Sequence, residues 1–151
     1  MTRISRRQAV LMGTSVTLYF SVADVSAVLA TPAEADAEIA KFTGGKEPQE
    51  GKITIDLPEI AENGNTIPLA ITVDAPMTAE SYVSDILVVA DGNPNPGIAG
   101  FHLSPLSGRA EAGTRIRLAA TENVIVVAKT SDGKFFGDRK QVKVTIGGCG
   151  G

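Results

Sequence analysis

Short runs of β-branched residues, each closed off by a turn signal, constrain this chain more than any other feature. Residues 53–57, 67–74, 82–90, 98–103, 114–120, 124–129 and 141–146 are brief and rich in Val, Ile and Thr, side chains that suit a pleated surface better than a helix. In Thr114-Arg115-Ile116-Arg117-Leu118 and Val142-Lys143-Val144-Thr145-Ile146, apolar and polar groups fall on opposite faces of an extended chain. Asn63-Gly64, Asp91-Gly92 and Asp132-Gly133 are pairs that turn a chain back, and Ser131-Asp132-Gly133-Lys134 reads as a tight hairpin into residues 134–136. Seven strands, or eight with residues 134–136, predict an all-β fold, an immunoglobulin-like antiparallel β-sandwich. With five Phe, two Tyr and no Trp, its core must rest on Val, Ile, Leu and Ala.

The N-terminal third reads differently. Arg3, Arg6 and Arg7 precede an apolar stretch over residues 10–28, and Val28-Leu29-Ala30 supplies the small residues of a cleavage site. Ser5-Arg6-Arg7-Gln8-Ala9-Val10-Leu11 resembles a twin-arginine export signal, with Ala9 where that pattern has Phe. Residues 1–30 are therefore expected to be a twin-arginine-type signal peptide, cut after Ala30, and the remainder to be periplasmic. A transmembrane anchor is the alternative; Asp24 and the Ser, Thr and Gly content speak against it. Cleavage would remove three arginines and one aspartate, taking the formal charge from −3 to −5. Beyond it, Thr31-Pro32-Ala33-Glu34 is a capping-box pattern that predicts a short helix over residues 33–42, with Ile39 and Phe42 on one side and Gly44-Gly45 ending it.

Several function classes are excluded by what the chain lacks. No basic block or basic-aromatic stripe is present to neutralise phosphates, so nucleic acid is not an expected partner. The single histidine, His102, stands in Phe101-His102-Leu103 without a neighbouring ligand cluster and reads as a strand residue. Asp91-Gly92-Asn93-Pro94-Asn95-Pro96-Gly97 offers oxygens but not the spacing of a calcium loop, and reads as a stiff structural or partner-facing loop. No phosphate-cradling or dinucleotide fingerprint occurs, and no nucleophile, base and oxyanion site assemble. The expectation is a protein with no catalytic residue of its own, no metal and no cofactor.

One reactive side chain is left. The only cysteine, Cys149, lies in Gly147-Gly148-Cys149-Gly150-Gly151. A lone Cys in an exported protein is buried and inert, paired to another chain, or free and reactive. Here no flanking side chain or apolar sequence is present to bury it. A glycine run has the widest backbone freedom, and Gly147, Gly148, Gly150 and Gly151 are read as a flexible arm over residues 147–151, beyond a folded body over residues 31–146. Fully extended, such an arm would span roughly 15 to 18 Å. The carboxylate of Gly151 disfavours a nearby thiolate, which suits a passive thiol activated inside each partner.

An export signal, an acidic β-rich body, Asn93-Pro94-Asn95-Pro96 ahead of Ile98-Ala99-Gly100-Phe101, and the terminal Gly-Gly-Cys-Gly-Gly together resemble the SoxY family of the bacterial thiosulfate-oxidising Sox system. The resemblance implies a periplasmic sulfur carrier that holds thiosulfate-derived sulfur covalently on Cys149, with no membrane partner after signal cleavage. It implies a heterodimer with SoxZ and passing encounters with SoxXA, which attaches the sulfur, with SoxB, which releases sulfate, and in some systems with SoxCD, which oxidises the remaining sulfane. Two other readings of the residues stay open. One is an exported structural β-sandwich in which Cys149 forms an intermolecular disulfide. The other is a ubiquitin-like donor carrying sulfur on the Gly151 carboxylate, which would need a cytoplasmic, ATP-dependent activation.

Overall fold

Alternate burial along the strands divides the chain into two faces, and the buried faces meet. The structure, a computed structural model, describes residues 32–148. Residues 1–31, which include the stretch expected to be a signal peptide, and Cys149, Gly150 and Gly151 lie outside the described residues. In chain order the elements are α1 (Pro32–Thr43), β1 (Gln49–Glu50), β2 (Ile53–Asp56), β3 (Ile60–Asn63), β4 (Ile67–Val73), β5 (Val83–Ala90), β6 (Gly97–His102), a 3-10 turn (Pro105–Ser107), β7 (Glu111–Ile116), β8 (Glu122–Thr130) and β9 (Phe135–Ile146).

Strands β2, β4 and β7 form one antiparallel sheet in that order. The other sheet runs β1-β9-β8-β5-β6, with β3 also on β9. Ile67, Leu69, Ile71 and Val73 alternate with exposed residues along β4 and face Val83, Ile86, Val88, Val124, Val126, Ala128 and Val142 across the sandwich. The interior is mainly branched aliphatic, with Phe136 the one aromatic side chain in the buried cluster, as the scarcity of aromatics requires. Burying each such side chain contributes about 1.5–3 kcal/mol, which makes this layer the main source of stability.

Helix α1 matches its expected position. Gly44 and Gly45 take positive φ, and the Gly45 N–H donates to the Ala40 carbonyl at 2.9 Å, a glycine-dependent C-terminal cap. Phe42 meets Phe135 edge to face, with 6.0 Å between ring centroids, tying the helix to the start of β9. The Asp132-Gly133 hairpin also forms: Gly133 N–H donates to Thr130 O, Thr130 N–H donates to Lys134 O, and Lys134 Nζ pairs with Asp132 at 2.7 Å. Hydrogen bonding to Lys134 and Thr130 lowers the Asp132 carboxyl to about 2.

The sandwich departs from the expected pattern in three places. It is not wholly antiparallel, because the short strands β1 and β3 run parallel to β9 along its outer edge. The strands expected at residues 134–136 and 141–146 are one strand, β9, since pairing with β8 carries it through the charged stretch Asp138-Arg139-Lys140 that hides its periodicity. Strand β7 stops at Ile116, short of residue 120, because the backbone beyond it is held by side chains instead of a neighbouring strand. Among the described residues no helix is long and apolar enough to cross a membrane.

Candidate functional site

The candidate site is the point where β9 hands the chain to Cys149. Beyond Val142, the last residue paired with β8, the strand takes β3 as its partner, with Ile60 opposite Lys143 and Asn63 opposite Ile146. The Thr121 hydroxyl holds the other side, accepting the Val144 N–H at 3.0 Å. The end of β9 is thus fixed on both edges before the glycines begin.

Gly147 and Gly148 were expected to belong to a free arm, and the structure places them against the body. Gly148 is buried, and its N–H donates to the Leu118 carbonyl at 2.9 Å. The Leu118 N–H donates to Gly64 O at 2.9 Å, and the Gly64 N–H donates to Ile146 O at 2.8 Å. These glycines therefore make close backbone approaches to Gly64 and to Leu118-Ala119, up to the residue joined to Cys149. Cys149, Gly150 and Gly151 lie outside the described residues.

The Asp91–Gly97 loop turns its polar groups inward. Asn93 is 0% exposed; its Nδ2 donates to Arg117 O at 2.8 Å and its Oδ1 accepts the Ala119 N–H at 2.8 Å. The two oxygens of Asp91 receive Asn123 N–H at 2.8 Å and Asn123 Nδ2 at 2.7 Å. This is structural wiring for the oxygens of Asp91 and Asn93, while Asn95 stays exposed. Glu122, which sequence reasoning did not single out, completes it. At 4% exposure, it accepts N–H groups from Gly92 at 2.7 Å and from Ala119 at 3.1 Å. Burial pushes its carboxyl above the usual glutamate value, the charge of Asp91 adds to this, and the backbone N–H groups of Gly92, Ala120 and Ala119 oppose it.

His102 sits on β6 as expected, exposed, with Nδ1 2.6 Å from Asp85 Oδ1. Burial raises the Asp85 carboxyl, but hydrogen bonds from Ser84 and His102 and the charges of His102 and Lys129 outweigh it and hold the group below its ordinary value. Among the described residues, no three His, Cys, Asp or Glu side chains gather as a metal site. A cleft of 470 Å³ separates α1 from the outer face of the larger sheet, lined in part by Ile39, Thr43, Val127 and Arg139. It lies by the helix and β9's opening residues, not at the glycine segment.

Comparison with curated proteins finds no match. Among solved structures, the sulfur carrier protein SoxY from Chlorobium limicola f thiosulfatophilum is similar at 34% identity and a TM-score of 0.63, covering 77% of this chain and 100% of that one. The superoxide reductase (neelaredoxin) from Ignicoccus hospitalis aligns over 77% of this chain and 94% of its own with a TM-score of 0.55, but at 17% identity, a likeness of fold alone. The protein-family model described as sulfur oxidation protein SoxY matches residues 39–149, a span that takes in the whole sandwich and reaches Cys149. On that match and the full coverage of the Chlorobium carrier, the chain belongs to the SoxY family.

Proposed function

We propose that this chain is a periplasmic sulfur carrier, exported by the twin-arginine route on residues 1–30, which holds thiosulfate-derived sulfur covalently on Cys149 and presents it to the enzymes of the Sox system. The observation that carries the reading is SoxY membership over a span that includes the chain's one thiol, set in Gly147-Gly148-Cys149-Gly150-Gly151. The protein itself catalyses nothing; a lone thiol with no side chain beside it is a handle for other active sites.

The chemistry follows from the thiol. Joining Cys149 to the outer sulfur of thiosulfate forms an S–S bond, releases one proton and passes two electrons to an acceptor, the part assigned to the haem protein SoxXA. Hydrolysis by SoxB then consumes one water, releases sulfate and two protons, and leaves a persulfide anion on Cys149. Where SoxCD is present it oxidises that outer sulfur to a sulfonate with oxygen from three waters, releasing six protons and passing six electrons to an acceptor, and a second hydrolysis releases sulfate and a proton and restores the thiol. SoxZ is the heterodimer partner that accompanies the body through these encounters.

The test is the intact mass of the protein isolated from thiosulfate-grown cells, before and after reduction, with the C-terminal peptide fragmented. Reductant-labile sulfur or thiosulfonate mass on Cys149 is expected, and Cys149→Ser should abolish loading while the melting temperature stays unchanged. A mass that shows only a disulfide-linked dimer would sink the carrier reading in favour of a structural role, and an adduct on the Gly151 carboxylate would point to the thiocarboxylate donor.

A further inference from the structure

Gly64 meets the distant pair Gly147-Gly148 at the root of the carrier segment, and none of the three needs glycine for its backbone angles. Gly64, Gly147 and Gly148 all lie outside the left-handed region. Their requirement is steric. A Cβ on Gly148 would stand 2.8 Å from Gly64 O and 2.9 Å from Gly64 C; one on Gly64 would stand 2.6 Å from Gly148 N and collide with Leu118 O; one on Gly147 would collide with Ala119 O. Backbone therefore packs directly on backbone, and the bonds Gly64 N–H to Ile146 O, Leu118 N–H to Gly64 O and Gly148 N–H to Leu118 O lace the seam.

One wall of that seam, residues 117–120, belongs to no strand. Such a segment would ordinarily move as a surface loop. Here its backbone is bonded from behind: Asn93 takes both Arg117 O and the Ala119 N–H, and Glu122 shares the Ala119 N–H. Both side chains are buried, so losing either leaves backbone groups unpaired away from water.

We propose that Asn93, supported by Glu122, is a positioning residue for the carrier segment: it fixes the 117–120 segment against which Gly147 and Gly148 pack, and so sets where the chain leaves the body. This rests on the carrier reading of Cys149.

Amide hydrogen exchange on the purified full chain reads the seam directly. The amides of Gly64, Leu118 and Gly148 are expected to be protected at least about a hundredfold over an unstructured peptide and to open at one common rate. Exchange of Gly148 at the unstructured rate would overturn the clamp. In Asn93→Ala the three amides should lose protection about tenfold while those of Val88 and Val126 keep theirs. Modification of Cys149 by a bulky maleimide should also accelerate relative to iodoacetamide, a size selectivity that general destabilisation would not change. Unchanged seam protection in the folded variant, or an equal loss throughout the core, rejects the positioning role. Should Asn93→Ala not fold, Gly148→Ala at the margin of the body carries the same comparison, and retained protection at residue 148 rejects it. Sulfur loading is scored separately: loss of loading with the seam protected would reject the carrier reading alone, and loading with an unprotected seam would reject the clamp alone.

Discussion

Glu122 shows how one buried side chain can serve as both support and liability. Its carboxylate binds backbone N–H groups of Gly92 and Ala119, yet burial outweighs those bonds and its folded-state pKa is raised. A raised carboxyl value means that its contribution to stability is full below the unfolded-state value and is lost as pH rises through the folded-state value. Between those two values the protein should gain stability from this group as pH falls. Glu122→Gln keeps one acceptor oxygen, removes the titration and should abolish that part of the pH dependence, measurable as urea midpoints across the glutamate range. Asp85 and Asp132 act with the opposite sign, since their lowered values mean stability lost on acidification. A midpoint profile that Glu122→Gln leaves unaltered would show that the burial penalty is not felt.

At the scale of elements, the termini of α1 and β9 illustrate two distinct uses of glycine. Gly44 sits at φ 65° immediately after the helix, where a side chain is strained; nothing lies near enough to obstruct a Cβ there. Gly44→Ala should therefore cost about 1–2 kcal/mol through backbone strain alone, seen in the denaturation midpoint, with the rest of the body unchanged. Gly148 is the reverse case, with unstrained φ and no room. The sequence shows only the first use: Gly44-Gly45 after an apolar-periodic run is legible as a helix stop, while the residues that crowd Gly147 and Gly148, namely Gly64 and Leu118-Ala119, come from two other parts of the chain. Strand β3 escaped detection for a related reason, having only Ile60 and Ala61 as apolar residues and gaining its identity from β9.

For the whole molecule, stability resides in the aliphatic layer between the sheets, while the proposed carrier segment leaves from one of its margins. Ile86 is 1% exposed at the centre of that layer, and Ile86→Ala should cost about 2–5 kcal/mol in urea denaturation with an unchanged slope. On the carrier reading, the same variant, while folded, should load sulfur on Cys149 normally, because Ile86 takes no part in the backbone bonds that hold Gly148. A loading defect in the fully folded variant would mean that the core and the carrier root are coupled more tightly than their separation suggests.

The sequence by itself determined the class of fold, the helix and its stop, the hairpin at Asp132-Gly133 and the chemical uniqueness of Cys149. All of these depend on contacts within a few residues, or on counting. Tertiary structure alone decided that β1 and β3 join β9 in parallel, that Asn93 and Glu122 turn inward to hold a loop, and that Gly147 and Gly148 are clamped. Those outcomes come from partners far apart in the chain, whose meeting is fixed by how two sheets pack and which no local periodicity encodes.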